Sequence, residues 1–255
     1  MAKNYEELGL SDDFMFGKVM EDGDLCREVL ECLLGQKVGK LEPVQPQKEY
    51  RYAVDGKPIR LDIYTHDDRR VYDAEMQNLN HRSIVYHDLP RRSRFYQAVM
   101  DTDHLKKKQS YRSLPETNIL FICTFDPFGK GLPKYTFRHK CEELPGLTLQ
   151  DYTAKYFFNC TSEEEEAPER LRALYRYIRT GEATDGLTGR LQKAVEAGRR
   201  NEKWRSEYMK ELLHDDDMRE EGREEERANT EREKVRADAL EAKVRKLEEM
   251  LNNRK

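Results

Sequence analysis

The chain has 255 residues, of which 38% are charged, and a formal net charge of −4. Its mean hydropathy of −0.99 is too polar for one apolar core along the whole length, so part of the chain should be extended helix or disorder. No apolar run approaches roughly 18 residues and the acidic start has no hydrophobic region, so we expect neither a membrane span nor a signal peptide. The five cysteines form no Cys-x-x-Cys pair, which is typical of reduced thiols, and we expect a cytoplasmic protein.

Two short helices are predicted before the first strand. Ser11 is a suitable N-cap for the first helix, and Asp24 for the second, which Gly35 would end. Asp12 and Asp13 would lie in the first turn of the first helix, where their charge suits the helix dipole.

Residues 58–78 have the pattern of a β-hairpin. Two segments that mix β-formers with polar residues in near alternation flank a turn-like Asp-Asp-Arg-Arg run. A turn centred on Asp68 and Arg69 places Asp62 opposite Glu75. The hairpin then has one apolar face and one polar face, and the polar face carries both carboxylates.

Directly opposed carboxylates destabilise a sheet, because their Cβ atoms lie only about 4.5–5.5 Å apart. Protonation of one acid, an ion pair with Arg60 or Arg70, or a divalent cation between the carboxylates would offset the repulsion. Because all the donors are oxygens, such a cation would be Mg²⁺ or Mn²⁺ rather than zinc. A solvated, charged sheet face is the alternative that needs no ligand.

Other strands are predicted on both sides of the hairpin in the sequence. Residues 47–54 alternate and lead through a hairpin turn, so three strands should run antiparallel. The run 118–125 is the most hydrophobic stretch and predicts a buried central strand. Residues 135–138 and 155–159 predict edge strands.

A basic segment follows the hairpin, beginning with a helix predicted from Leu89 to Lys108. Between residues 91 and 112, seven Lys or Arg stand against two Asp, a local net charge of +5. Such a run is usually a solvated face, but its position directly after the carboxylate hairpin favours contact with phosphate groups. The candidate DNA-binding residues are Arg60, Arg91, Arg92, Arg94, Lys106, Lys107, Lys108 and Arg112.

The C-terminal part is helical and strongly charged. Ser162 and Glu165 have the spacing of a capping box for a helix that would run to Arg179 and end at Gly181. Another helix is predicted over 187–204.

The last residues have the spacing of a coiled-coil seam. Spacings of three and four residues separate Ala237, Leu240, Val244, Leu247 and Leu251. This seam predicts a homodimer through the C-terminal helix, and a solitary solvated helix is the alternative.

Four segments in the first half of the chain carry a resemblance to a known family. They read SDDFMFGKVM, IRLDIYTHDDRRVYDAEMQN, RRSRFYQAVMD and TNILFICTFDPFG. In this order they resemble the PD-(D/E)XK nuclease superfamily and, more closely, the recombination-promoting nuclease or putative transposase family of bacteria. We therefore expect an α/β core of restriction-endonuclease-like type, with a mixed sheet flanked by helices, over residues 1–160. A helical extension over 161–213 and a charged tail over 214–255 would follow.

The resemblance also implies a metal site. Asp62, Glu75 and Gln77 would be catalytic, and Asp62, Glu75 and the Met76 carbonyl would hold Mg²⁺ or Mn²⁺. The metal would activate a water molecule and stabilise negative charge on a DNA phosphodiester. Asp13 would be a further ligand if the first helix adds an acid, as nucleases of this superfamily often do.

Gln77 departs from the superfamily pattern, which usually has Lys at this position. An amide can hydrogen-bond to water but brings no charge, so Arg60, Arg91, Arg92 or Arg94 would have to supply it. The residues and the resemblance together predict a metal-dependent DNA endonuclease, and the resemblance alone implies a mobile-element or recombination-associated family. A DNA-binding protein with a decayed site and a coiled-coil interaction protein are the alternatives. The P-loop, dinucleotide-binding and nucleophile-elbow motifs are absent from the sequence.

Overall fold

The protein is α/β: a mixed six-stranded sheet is flanked by helices and followed by a long C-terminal helix. A computed structural model describes residues 3–50, 59–78, 88–162 and 167–252, without the side chains of residues 49, 215, 242 and 245–252. Residues Lys3–Trp204 form one compact unit, and the C-terminal helix from Arg205 forms another. In the described ranges, no helix is both long and apolar enough to cross a bilayer.

The described residues contain the following α-helices and β-strands, numbered in chain order. The helices are α1 (Asp13–Met20), α2 (Gly23–Leu34), α3 (Leu89–His104), α4 (Glu169–Thr180), α5 (Gly186–Arg199) and α6 (Glu202–Asn252). The strands are β1 (Gln45–Tyr50), β2 (Ile59–His66), β3 (Arg70–Gln77), β4 (Glu116–Cys123), β5 (Lys134–Phe137) and β6 (Thr153–Asn159).

The sheet has the strand order β1-β2-β3-β4-β6-β5. Strands β1, β2 and β3 form the predicted antiparallel meander, and the predicted turn before β2 lies outside the described residues. Ile63 pairs with Ala74, which confirms the predicted register of the hairpin. Strands β3, β4 and β6 are parallel, and β5 runs antiparallel to β6.

Strand β4 is the buried central strand that the sequence predicts, since Thr117 and every residue after it in the strand are buried. The predicted edge position of residues 155–159 is wrong, because β6 lies between β4 and β5. Phe157 stacks on Phe121 with 5.2 Å between ring centroids, and the next residue, Phe158, is fully buried. Successive side chains point to opposite faces, so both faces of β6 are covered, as in an interior strand.

Helix α3 covers the face of the sheet on which the site lies. Tyr96, Val99 and Met100 of α3 belong to one hydrophobic core with Phe121 and Phe157 of the sheet. Helix α1 packs on β1, β2 and β3, and α1, α2, α4 and α5 pack on one another. Helices α4 and α5 thus belong to the same compact unit as the sheet.

Helix α3 ends four residues before the predicted end. Leu105 is extended, with φ −88° and ψ 100°, and its amide donates to the Asp101 carbonyl, which closes the helix at His104. Lys108 has a φ of 74°, which a helix does not allow. Lys106, Lys107 and Lys108 are therefore not helical.

The starts of α1 and α2 also differ from the predictions. Asp12 occupies the N-cap position of α1 in place of Ser11, and its carboxylate accepts a backbone amide in the preceding turn. Asp22 caps α2 in place of Asp24 and accepts two amides of the first turn. Gly35 ends α2 in the left-handed conformation, as predicted.

The predicted capping box does not begin α4. The helix starts at Glu169, and the Ser162 hydroxyl donates instead to the Gly131 carbonyl, while Glu165 lies outside the described residues. Gly181 ends the helix in the left-handed conformation, as predicted.

The helix predicted over 187–204 is two helices. Helix α5 ends at Arg199 and α6 begins at Glu202. Between them, the Asn201 side chain accepts the amides of Lys203 and Trp204 and so caps α6.

Gly198 near the end of α5 is a point of close packing. A Cβ atom there would lie 2.7 Å from the Trp204 ring and 3.0 Å from the Met15 sulfur. The Tyr5 hydroxyl also donates to the Gly198 carbonyl at 2.6 Å. This contact has no room for a side chain.

We therefore expect Gly198→Ala to lower the free energy of unfolding by about 1–3 kcal/mol through overpacking. The substitution should also shift the fluorescence of Trp204, the single tryptophan. Urea unfolding followed by tryptophan emission measures both effects. Gly189→Ala is the matched control on α5, because no atom lies within 4 Å of its added Cβ, and it should be neutral or stabilising by about 0.5–1 kcal/mol. Equal stability of the two variants would contradict the packing argument.

Candidate functional site

Strands β2 and β3 separate at the level of Asp62 and Glu75. Their paired register runs no further than Ile63 and Ala74. Beyond this pair, the Asp62 amide donates to Glu75 Oε1 at 2.9 Å, and the Met76 amide donates to Asp62 Oδ2 at 2.9 Å. Two carboxylate oxygens thus replace backbone carbonyls as acceptors, and the acids are fixed where the ladder opens.

Main-chain geometry adds a third oxygen to this opening. The N–H and C=O groups of a strand residue point to the same side of the strand. Because the Met76 amide donates towards β2, the Met76 carbonyl also lies on the β2 side of β3. The two predicted carboxylate ligands and the predicted carbonyl ligand therefore lie at the same opening between the strands.

Asp73 is a third acid at the site, and the sequence analysis missed it. It lies two residues before Glu75, so both side chains point to the same face of β3. Its side chain is fully buried, and within the described residues no donor reaches either carboxylate oxygen. Asp73 and Glu75 are in contact, and two carboxyl groups can hydrogen-bond to each other only when one carries a proton. The i, i+2 spacing of the two acids was the available signal.

Burial raises the pKa of all three carboxyl groups well above its ordinary value, because the charged form loses its hydration. The neighbouring acids raise it further: Glu75 and Asp13 act on Asp62, and Asp73 acts on Glu75. The backbone hydrogen bond from Met76 lowers the pKa of Asp62 but does not reverse the shift. The cluster therefore favours a bound proton or a bound cation.

Arg92 lies inside this site, near the start of α3. Its guanidinium donates to Gln77 Oε1 at 3.0 Å, to the Tyr96 hydroxyl at 2.8 Å and to Glu75 Oε2 at 3.4 Å. Its side chain is only 29% exposed. Arg92 is thus a predicted basic residue that the fold brings to the acids.

The start of α1 lies close to the same site. The Asn78 side chain donates to the Ser11 carbonyl and joins the end of β3 to the turn before α1. The exposed Asp13 carboxylate is near enough to raise the pKa of Asp62. The predicted extra acid is therefore near the candidate ligands. Asp13 also acts in the first turn of α1, where its Oδ1 accepts the Phe14 amide at 2.9 Å.

The remaining basic residues divide into two groups. Arg91 and Arg94 are exposed beside Arg92 at the start of α3. Lys106, Lys107, Lys108 and Arg112 are exposed beyond the other end of α3, about 18 Å away at a rise of about 1.5 Å per residue. Arg60 is half-buried on β2, and its charge lowers the pKa of Asp62. The predicted DNA-binding set is thus not one patch.

The donor set suits a hard cation. Among the described side chains, no three His, Cys, Asp or Glu residues are arranged to hold a metal ion together. The candidate ligands are instead two carboxylates, of Asp62 and Glu75, and the main-chain carbonyl of Met76, all of them oxygens. Among the described residues, neither carboxylate oxygen of Asp73 has a hydrogen-bond donor. This fits a site that lacks enough positive charge for its carboxylates.

The raised pKa values predict how stability depends on pH in metal-free protein. A carboxyl whose pKa is raised by folding binds more protons in the folded state, so its contribution is complete below about pH 4 and is lost as pH rises through the folded pKa. Asp73→Asn removes one such group. The variant should therefore gain stability relative to wild type as pH rises from about 4 through the folded pKa, by about 1.4 kcal/mol for each unit of pKa shift removed.

Thermal melts in EDTA across this pH range measure the difference, at about 2–4 °C per kcal/mol for a chain of this size. Asp68→Asn, at the exposed hairpin turn, is the control and should leave the pH profile unchanged. A constant difference between Asp73→Asn and wild type would show that Asp73 ionises normally.

No protein-family model matches the chain, and no curated protein matches it. Its function is therefore inferred from the residues of the site and from the resemblance of the sequence segments.

Proposed function

We propose that the protein is a metal-dependent DNA endonuclease with a core like that of the PD-(D/E)XK nucleases. The observation that carries the proposal is the opposition of Asp62 and Glu75 where β2 and β3 separate, with one oxygen of each held by an amide of the other strand. Because these amides fix the carboxylates in place, little reorganisation is needed to present them to a cation.

Mg²⁺ or Mn²⁺ would be held by Asp62, Glu75 and the Met76 carbonyl. When bound, such an ion supplies Lewis acidity at the phosphate and lowers the pKa of a water ligand. Hydrolysis would form a bond between the water oxygen and phosphorus and break one P–O bond of the DNA backbone. The proton that the water loses would pass to solvent, and the departing oxygen would take up a proton. Asp73 is fully buried two residues before Glu75, out of reach of bulk water.

The two basic groups suit a duplex substrate. Arg91 and Arg94 would contact the backbone next to the reacting phosphate, and the basic residues after α3 would contact it further along. The separation of about 18 Å corresponds to about five base pairs at 3.4 Å each. These phosphate contacts would make binding strongly dependent on salt. We also propose a mobile-element or recombination setting, and this part of the proposal rests on the sequence resemblance alone.

A DNA-binding protein without catalysis is the second candidate. Arg92 lies 3.4 Å from Glu75, so a cation of the protein already offsets part of the carboxylate charge without a metal. The experiment below separates the two candidates.

Asp62→Asn should lower cleavage of supercoiled plasmid DNA in Mg²⁺ or Mn²⁺ by more than about 100-fold. Loss of an outer-shell partner alone typically costs about 10–100-fold, and Asp62 is a proposed ligand. DNA affinity, set mainly by phosphate contacts, should change little. Mn²⁺ should also stabilise wild type, by about 2.7 kcal/mol at a hundredfold excess over Kd, and so raise its melting temperature. The melting temperature of the variant should not change with Mn²⁺.

Asp68→Asn in the same hairpin is the control for the loss of one aspartate. If wild type binds DNA yet leaves plasmid, single-stranded and branched DNA intact in both metals, with no Mn²⁺-dependent melting shift, the DNA-binding candidate replaces the nuclease.

The proposal includes a homodimer through α6. Leu240 and Val244, at consecutive positions of the predicted seam, are 56% and 53% exposed in the described part of the helix. The predicted seam residues Leu247 and Leu251 have side chains outside the described part. Arg236 and Glu241 flank the seam five positions apart with opposite charges, which favours two parallel chains. A dimer would bring two sites to one DNA molecule.

We therefore expect full-length protein to sediment as a dimer at micromolar concentration, and Leu240→Glu with Val244→Glu to sediment as a monomer, because four carboxylates would meet in the seam. Ala239→Glu, exposed on another side of α6, adds charge without entering the seam and should remain dimeric. A monomeric wild type at this concentration would exclude the dimer.

A further inference from the structure

The contact between Arg92 and Gln77 determines how Gln77 can act. Arg92 Nη1 donates to Gln77 Oε1 at 3.0 Å. A guanidinium has only donors, so the amide atom that faces it must be the oxygen, because the NH₂ group would place two donors against each other. The two N–H groups of Nε2 are therefore the donors that the Gln77 amide can offer to a ligand.

Arg92 is itself held in place by several contacts. Its guanidinium donates to the buried Tyr96 at 2.8 Å and lies 5.4 Å and 5.8 Å from the ring centroids of Tyr96 and Phe121. It also pairs with Glu75 at 3.4 Å. Swinging out to a DNA phosphate would break all of these contacts and leave the buried Glu75 carboxylate without its cation, which is costly.

The site thus contains one fixed cation and one amide whose orientation that cation sets. An amide N–H can donate to a non-bridging phosphate oxygen and stabilise charge that develops there. It cannot accept a proton from water. As a donor, Gln77 can therefore stabilise charge on the phosphate, whereas it cannot act as the base for the nucleophile.

We propose that Arg92 is a positioning residue that fixes Gln77 as a hydrogen-bond donor to a phosphate oxygen of the substrate. This inference rests on the proposed nuclease function, and it assigns Arg92 to the interior of the site and not to the DNA-binding surface. Arg92 acts through Gln77, so the effects of losing the two residues should not add.

A double-mutant cycle tests this coupling. Arg92→Ala and Gln77→Ala should each lower kcat by about 10–100-fold, as losses of positioning partners do, and the double variant should match the single ones. KM should stay within a few-fold of wild type. Arg27→Ala is the control for loss of an arginine, since Arg27 pairs with Asp24 on α2. Fully additive losses, or a rise in KM without a loss of kcat, would show that Arg92 does not act through Gln77 and would overturn the inference.

A second measurement does not depend on cleavage. The heteronuclear NOE of the Gln77 side-chain amide should show an ordered NH₂ group in wild type and a mobile one in Arg92→Lys, which keeps the charge but not the planar fork. Melting temperatures of the two proteins should agree within a few degrees. Equal amide mobility in both proteins would overturn the inference.

The two readouts separate this inference from the proposed function. If wild type cuts no DNA but the amide is ordered and becomes mobile in Arg92→Lys, the nuclease proposal fails and the positioning of Gln77 by Arg92 stands. If wild type cuts DNA and the amide is equally mobile in both proteins, the nuclease proposal stands and the positioning role fails.

Discussion

The arrangement of the site depends on one constraint: two buried carboxyl groups, of Asp73 and Glu75, and a half-buried one, of Asp62, lie together where two strands of the sheet separate. An unpaired buried charge is costly, and removing one partner of a buried ion pair typically costs about 3–5 kcal/mol. The chain meets this cost in three ways. The strands separate so that backbone amides reach Asp62 and Glu75, α3 brings Arg92 to Glu75, and Asp73 has the proton-favouring environment that its raised pKa reflects.

The position of α3 follows from the same constraint. Tyr96, one turn after Arg92, packs against Phe121 of β4 and accepts a hydrogen bond from the guanidinium. The apolar packing that fixes α3 on the sheet is therefore also what fixes the cation over the acids. Packing and electrostatics of the site cannot be changed separately here.

Much of the hairpin could be predicted from sequence, because a period of two and a short polar turn determine both the register and the face of each residue. The same period of two places Asp73 on the face of Glu75, but it does not show that this face is buried. An acid on a strand usually indicates a solvated face, and only the packing of α3 makes this face an interior. The interior position of β6 was missed for a similar reason, since its two buried phenylalanines become informative only once both faces are known to be covered.

The basic segment shows a second limit of sequence reasoning. Summed charge does not distinguish Arg92, which turns inward, from Arg91 and Arg94, which are exposed. Helical spacing contained the distinction, because Arg92 and Tyr96 are four residues apart, and Tyr96 shares the core-facing side of α3 with Val99 and Met100. The ends of the helix were less predictable, since the extended Leu105 is set by backbone conformation and not by residue type.

The opening between β2 and β3 has a consequence for how this protein can change over evolution. Each carboxylate there occupies an amide that would otherwise extend the ladder, and each is kept in an environment that disfavours its charge. Replacements that remove the charge and let backbone carbonyls accept these amides again would therefore offer a gain in stability, as is common where a site is built at the expense of the fold. Selection for robustness alone would tend to close this gap, so its persistence in a lineage would be a record of selection for what the gap does.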